Sequence, residues 1–282
     1  MRQILLSIFL LLSCLVDAQP YLIKQLGIKE GLSNNYVVSI AQDKKGHLWF
    51  ATEEGLNKFD GYRFIPYYKS EYSDSPSITS NELNCLLDDP DPKNPILYIG
   101  TQRAGLNAYN YDKETFTIYR HDEKDPESII TDDITKVIPA SDGNLWVCTY
   151  WEGIDYLNKQ TGKFTHYNTL NVQGLPSDHI WDMADGGNGK IYIGHVRHGF
   201  SVLSIQERTA KNFMYDPQNP KSLPGNEVTC VYKDHNGNIW IGTDKGLALF
   251  NPEDESFVSF NKPAEQLSHR IYDICQPDDN KL

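Results

Sequence analysis

Apolar and polar positions alternate along most of this chain in short runs separated by turn residues, and the runs recur in groups of four. The sharpest group spans Asn236 to Phe250, NGNIWIGTDKGLALF. It predicts a hairpin turn at Asn236-Gly237, an apolar strand ending in Trp240-Ile241-Gly242-Thr243, a tight turn at Gly246 and a second strand. Near-copies stand upstream: GHLWFATEEGLNKFD from Gly46, PILYIGTQRAGLNAYN from Pro95, GNLWVCTYWEGIDYLN from Gly143 and GKIYIGHVRHGFSVLS from Gly189. The strand aromatic falls at Trp49, Tyr98, Trp146, Tyr192 and Trp240, in steps of 49, 48, 46 and 48. The turn glycine falls at Gly55, Gly105, Gly153, Gly199 and Gly246, in steps of 50, 48, 46 and 47. Two independent markers with one period in the forties and strand-type content predict a β-propeller.

Each repeat carries two further strands. A turn-rich lead (Gly31-Leu32-Ser33-Asn34 in the first) runs into strand A, whose apolar positions are Val37, Leu83, Ile134, Ile180 and Val228, then Ile40, Leu86, Val137, Met183 and Val231. The aromatic strand is B, the strand after the turn glycine is C, and D is a weaker alternation such as Phe116-Thr117-Ile118-Tyr119. Four antiparallel strands make one blade, so the expected fold is all-β, an incomplete propeller of five full blades. They lie at approximately 31–70, 77–121, 128–169, 174–216 and 222–262, with a partial sixth at 266–282. Tyr21 to Leu26 precedes the first lead where every other repeat has a D strand, and Leu267 to Cys275 restarts strand A. Such ends do not close a ring in the usual interlocked way, and the expectation is the N-terminal part of a longer protein.

The first 18 residues have the pattern of an export signal: Arg2, the apolar run Ile4 to Leu12, and a cleavage site after Ala18. Lipid attachment at Cys14 and a retained anchor are the competing readings, although the run is short for a spanning helix. A net charge of −12 argues against nucleic acid or anionic lipid as the main partner. Export and an even count invite disulfides among Cys85, Cys148, Cys230 and Cys275. Their repeat positions, with Cys85 and Cys230 equivalent and far apart around a ring, predict buried small apolar residues instead.

Little chemistry is written in motifs. Gly186-Gly187-Asn188-Gly189 is a hairpin turn with no helix behind it, so it cradles no phosphate. His195 and His198 lack a third metal ligand, and Asp234, Asn236 and Asn238 lack the glycine and distal glutamate of a calcium loop. No metal or cofactor is expected. Trp49, Trp146 and Trp240 recur at one strand position and predict packing between blades, and Asp43, Asp142 and Asp234 predict turn acceptors. Position in the blade is more informative: B–C turns and D–A leads share one face around the central channel. The residues that vary there are Arg103, Tyr150, Trp151, Arg197 and His198, which are the candidate ligand contacts. Aromatics stack on sugar rings, and arginine grips carboxylate or sulfate in a bidentate fashion. Ordinary loop chemistry and a protein contact surface are the alternatives. Glu152 and Asp155 are the one carboxylate pair outside the repeat scaffold that an enzyme reading can nominate.

The units GLSNNYVVSIAQDKKGHLWFATEEGLNKFDGYRF and EVTCVYKDHNGNIWIGTDKGLALF resemble the two-component regulator propeller repeat, over about Gln19 to Leu282. That repeat builds the periplasmic sensor region of hybrid two-component histidine kinases in Bacteroidetes. The resemblance implies a periplasmic, non-catalytic sensing portion whose ligand is an oligosaccharide and whose full-length parent dimerises and regulates glycan-utilisation genes. It implies no direct nucleic-acid contact by this chain, and membrane attachment through regions outside it. The family supplies no general ligand motif, so no site residue is carried over. An exported propeller glycoside hydrolase or polysaccharide lyase, and a protein-interaction scaffold, are the alternative functions.

Overall fold

The computed structural model describes residues 24–72, 76–260 and 270–276. Within them the chain forms five four-stranded antiparallel sheets, each a simple meander. Blade 1 holds β1 (Val37–Gln42), β2 (Leu48–Thr52), β3 (Gly55–Phe59) and β4 (Phe64–Tyr67); blade 2 holds β5 (Leu83–Asp88), β6 (Ile96–Thr101), β7 (Leu106–Asn110) and β8 (Thr115–Tyr119). Blade 3 holds β9 (Ile134–Pro139), β10 (Leu145–Thr149), β11 (Ile154–Asn158) and β12 (Lys163–Tyr167). Blade 4 holds β13 (Ile180–Gly187), β14 (Lys190–His195), β15 (Phe200–Ser204) and β16 (Thr209–Phe213). Blade 5 holds β17 (Val228–Lys233), β18 (Ile239–Thr243), β19 (Gly246–Asn251) and β20 (Ser256–Ser259). First strands of successive blades lie against one another, from β1 through β5, β9 and β13 to β17, so they form the inner wall. The incomplete propeller expected from the repeat is the fold observed.

The residues explain the sheets. Gly46, Gly143 and Gly237 take positive φ (85°, 88° and 85°) in the first hairpin of their blades, which side chains resist and glycine accepts. Their N–H groups donate to the carbonyls of Asp43 (2.9 Å), Ala140 (3.0 Å) and Asp234 (2.9 Å). The Asp43 carboxylate then accepts from Lys45 N, His47 N and the Trp49 indole, and Asp234 accepts from Asn236 N, Asn238 N and the Trp240 indole. Asp142 is a turn acceptor too, but at a different place, because Ala140 holds the position equivalent to Asp43 and Asp234. Asp142 instead accepts from Asn144 N and the Tyr156 hydroxyl, while the Trp146 indole donates to Asp185 of the next blade (3.2 Å).

Four apolar seams join the five sheets, one between each neighbouring pair. Trp49 and Trp146 are enclosed in them and Trp240 is half-buried, which assigns the recurring tryptophans to packing. Each fully buried Leu or Ile at a seam contributes about 1.5–3 kcal/mol. The sheets approach closely two residues after the strand aromatic. A Cβ on Gly100 would stand 2.9 Å from Ile134 Cγ2, one on Gly194 2.5 Å from Val228 Cγ1, and one on Gly242 2.9 Å from Ile271 Cβ. Ile271 therefore sits where a next blade's first strand begins, and its N–H donates to Thr243 O at 3.1 Å.

The two ends differ from expectation within what is described. Residues 270–276 carry no strand, since no second strand lies beyond them among the described residues to pair with. Lys24, Gln25 and Leu26 likewise carry none, while Tyr21 to Ile23 and the export signal lie outside the described residues. Cys85, Cys148 and Cys230 are buried free thiols, but Cys275 is exposed and does not share their packing role. Cys85 and Cys230 lie opposite Gly100 and Gly242 on the neighbouring strand, whereas Cys148 fills the glycine position opposite Lys136.

Lys136 is the unusual member of the inner wall. Its Nζ lies 3.3 Å from Oδ1 of Asp182 on the next blade, and Asp182 Oδ2 accepts from Val231 N (3.1 Å) on the blade after that. The Asp182 carboxylate holds the Lys136 ammonium well above its ordinary pKa, while burial pushes the Asp182 carboxyl up. One buried carboxylate thus ties three blades together. Lys136→Met should destabilise the protein by on the order of 2 kcal/mol in urea unfolding, because it strands that carboxylate without a cation. Adding Asp182→Asn should recover part of the loss; a single variant as stable as the parent would show that the pair ties nothing.

Candidate functional site

The B–C turns are built to one plan. Thr52, Thr101, Thr149 and Thr243 each donate Oγ1–H to the turn glycine carbonyl at 2.7–2.9 Å, and each Oγ1 accepts a turn N–H at 3.1–3.2 Å. The turn glycines then donate to the lead of the next blade: Gly55 to Asn81 O, Gly105 to Asp132 O, Gly153 to Asp178 O and Gly199 to Asn226 O, at 2.8–3.1 Å. A side chain on Gly199 would meet Phe213 O at 2.1 Å, and its φ is 73°. Glycine is required there on both counts. The backbone thus carries the scaffold, and the side chains between threonine and glycine are free to differ.

Those side chains fall into three places. Tyr150 and Trp151 pack edge to face, with ring centroids 4.7 Å apart, and Trp151 is 52% exposed. Both meet His179 from the lead of blade 4: its ring lies 3.8 Å from Trp151 edge-on and 6.2 Å from Tyr150 nearly parallel. Arg103 stands apart with φ 59°, exposed, its charge opposing the burial that pushes the Asp133 carboxyl up. Arg197 and His198 are exposed on blade 4, and Arg197 lines a cleft of about 910 Å³ that opens toward blade 5. The five candidates therefore share a face, but only Tyr150 and Trp151 are in ring contact with each other.

Other candidates resolve into scaffold. His195 replaces the turn threonine in blade 4 and is fully enclosed; its Nε2 pairs with Ser201 Oγ at 2.8 Å, and burial pushes its pKa down to about 4. No group of three or more metal-binding side chains converges among the described residues. Asp155 is fully buried, accepting from Ile130 N (2.8 Å) and pairing with His166 Nδ1 (2.6 Å), so it does not share an open surface with Glu152. Asn57 and Asn107 make the same bond to Ser33 N and Thr79 N in blades 1 and 2.

Comparison with known proteins follows the same lines. The model of the two component regulator propeller family matches residues 31–54 and 222–245, the leads and aromatic strands of blades 1 and 5. The chain is 56% identical to the extracellular domain of BT3049 from B. thetaiotaomicron, assigned as a hybrid two component system, over 85% of this chain and 32% of that one, with a TM-score of 0.78. Its first and fifth blades carry the two component regulator propeller repeat. A second extracellular domain, BT4673 of the same organism, shares 22% identity, covers 86% of this chain and 33% of its own with a TM-score of 0.67, and shows likeness of fold. Histidine kinase P4 of Formosa agariphila is 39% identical over 77 residues, 27% of this chain and 6% of the kinase. The chain spans about a third of the length of the solved relatives it matches. No helix among the described residues is long and apolar enough to cross a membrane.

The structure also shows what the turn residues alone concealed. His179 completes the aromatic group from a lead, at the position immediately before strand A that is Tyr36, Glu82, Asp133 and Glu227 in the other blades. Variation at that position was the available signal. Trp181, second residue of β13, adds a half-exposed ring two residues further along the inner wall.

The Asp155–His166 pair yields a pH dependence. His166 Nδ1 faces the Asp155 carboxyl and Nε2 faces the Pro126 carbonyl at 2.9 Å, so both ring nitrogens meet acceptors, which favours the protonated ring even though burial pushes the Asp155 carboxyl up. The bond to Asp155 raises the His166 pKa above 6.5, while Arg208, whose Nη1 donates to His166 O, opposes the rise. A folded-state pKa above the unfolded one gives stabilisation that is complete below about pH 6.5 and lost as pH rises through the folded value. Stability in urea should therefore fall above that pH. In Asp155→Asn, which installs the residue of blades 1 and 2, the fall should vanish and His166 should titrate near its ordinary value by NMR. A parent whose His166 titrates at or below the ordinary value would contradict the assignment.

Proposed function

We infer that this propeller is the ligand-sensing portion of a two-component sensor kinase, held in the periplasm after export, and non-catalytic by itself. Its ligand is an oligosaccharide released from a complex glycan, and the full-length sensor, a dimer, switches genes for glycan use. The observation that carries this reading is the 56% identity over 85% of the chain to an extracellular domain assigned to a hybrid two component system. The mouth chemistry supports it. Rigid rings at Tyr150, Trp151 and His179 share the mouth face with exposed side chains at Arg103, Arg197 and His198, and such rings stack on sugars while arginine grips their polar substituents.

A sensor exploits differential binding: the ligand stabilises one packing or orientation of the dimer over another, and that preference crosses the membrane. Enclosure of Asp155 removes the carboxylate pair that hydrolysis would use. Incubation of the exported chain with a panel of plant and microbial polysaccharide digests should give calorimetric binding of at least one oligosaccharide without release of new reducing ends or unsaturated sugars. Turnover that disappears in Glu152→Gln would replace the sensor by an enzyme.

A further inference from the structure

The first strand of every blade carries one extra residue near its start, where the pairing with the second strand shifts: Val38, Asn84, Thr135, Trp181 and Thr229. Such bulges re-aim a side chain. In two blades the bulged residue serves its neighbour. Asn84 Nδ2 donates to Ile134 O at 2.8 Å, and Thr229 Oγ1 donates to Ile271 O. Val38, Asn84, Thr135 and Thr229 are buried or half-buried, whereas Trp181 is 46% exposed. Its indole makes no hydrogen bond and no ring contact among the described residues. Ile180 and Asp182 on either side are enclosed, so the tryptophan turns out of the seams toward the central channel.

Tryptophan at this place does nothing for the ring of blades: it exposes apolar surface and omits a bond that blades 2 and 5 make. It does stand close to the aromatic group of the mouth. His179, whose ring lies 3.8 Å from that of Trp151, comes two residues before it. At most about 7 Å of extended backbone separates the two residues, short enough for neighbouring units of one oligosaccharide to reach both. An indole takes the apolar face of a sugar ring. We propose that Trp181 forms a second saccharide subsite, on the channel wall, which takes the sugar unit next to the one at Trp151. A bound oligosaccharide then runs from the turn face into the channel, and two or more linked units are recognised together. The proposal rests on the oligosaccharide reading above and adds where the sugar chain enters and how many of its units are read.

The test is calorimetric titration of the exported chain with neutral tetrasaccharides of the gluco-, manno-, galacto-, xylo- and arabino-series. At least one should bind, and Trp181→Thr should weaken it about tenfold, the upper end of what one ring contact contributes. Threonine is the bulged residue of blades 3 and 5, so the thermal midpoint of this variant should match or exceed that of the parent. Trp181→Phe, which keeps a ring, should recover most of the affinity. Binding unchanged in Trp181→Thr overturns the channel subsite and leaves the oligosaccharide reading standing. A lowered midpoint in that variant, or no recovery with phenylalanine, assigns the side chain to the scaffold and also overturns the subsite. Binding of no tetrasaccharide overturns both readings together.

Discussion

Close approach of one sheet to the next governs this molecule. Two residues after the aromatic of each second strand the side chain is small (Ala51, Gly100, Cys148, Gly194 and Gly242), and the residue facing it from the next segment is larger and apolar: Leu83, Ile134, Ile180 and Val228, each first in its strand, and Ile271. The repeating small-to-large step lets twisted sheets, which stack about 10 Å apart, interlock without voids. Bulges at the start of all five first strands accommodate the step by shifting the register there. The mouth face inherits its position from that contact, because the turn glycines of blades 1 to 4 reach across the seam to the next blade's lead.

The same arrangement separates scaffold from surface chemistry. Threonine hydroxyls and glycine amides hold the turns through backbone groups, and buried Asn57, Asn107 and Asp155 hold the leads. The residues between them are not needed for the fold. Blade 3 spends this freedom on two aromatic rings and blade 4 on a free guanidinium, so adjacent blades present an apolar platform and a polar cleft on one face.

Much of this was legible before any coordinates. The period of tryptophan and glycine is readable because both residues answer local demands, one for seam volume and one for positive φ at a close backbone approach. The blade order and the packing role of the tryptophans follow from it. Side-chain convergence across blades is not carried by period alone, so His179 escaped notice although it touches Trp151, and Arg103 and Arg197 were grouped more tightly than they stand. Asp142 is a turn acceptor as expected, but from two residues further along than Asp43 and Asp234, because Ala140 holds their position. Asp155 gave no outward sign of its histidine partner, which lies on the neighbouring strand eleven residues away.

The most direct test of the interlock is a double-mutant cycle at the seam between blades 4 and 5. A Cβ on Gly194 would stand 2.5 Å from Val228 Cγ1 and 3.1 Å from Val231 Cγ2. Gly194→Ala alone should cost about 1–3 kcal/mol through overpacking, and Val228→Ala should open room for it. The pair together should therefore be more stable than the two single losses predict, by about 0.5–3 kcal/mol in urea unfolding. Strict additivity would mean that these sheets do not meet there, and would contradict the account of how the ring holds its mouth.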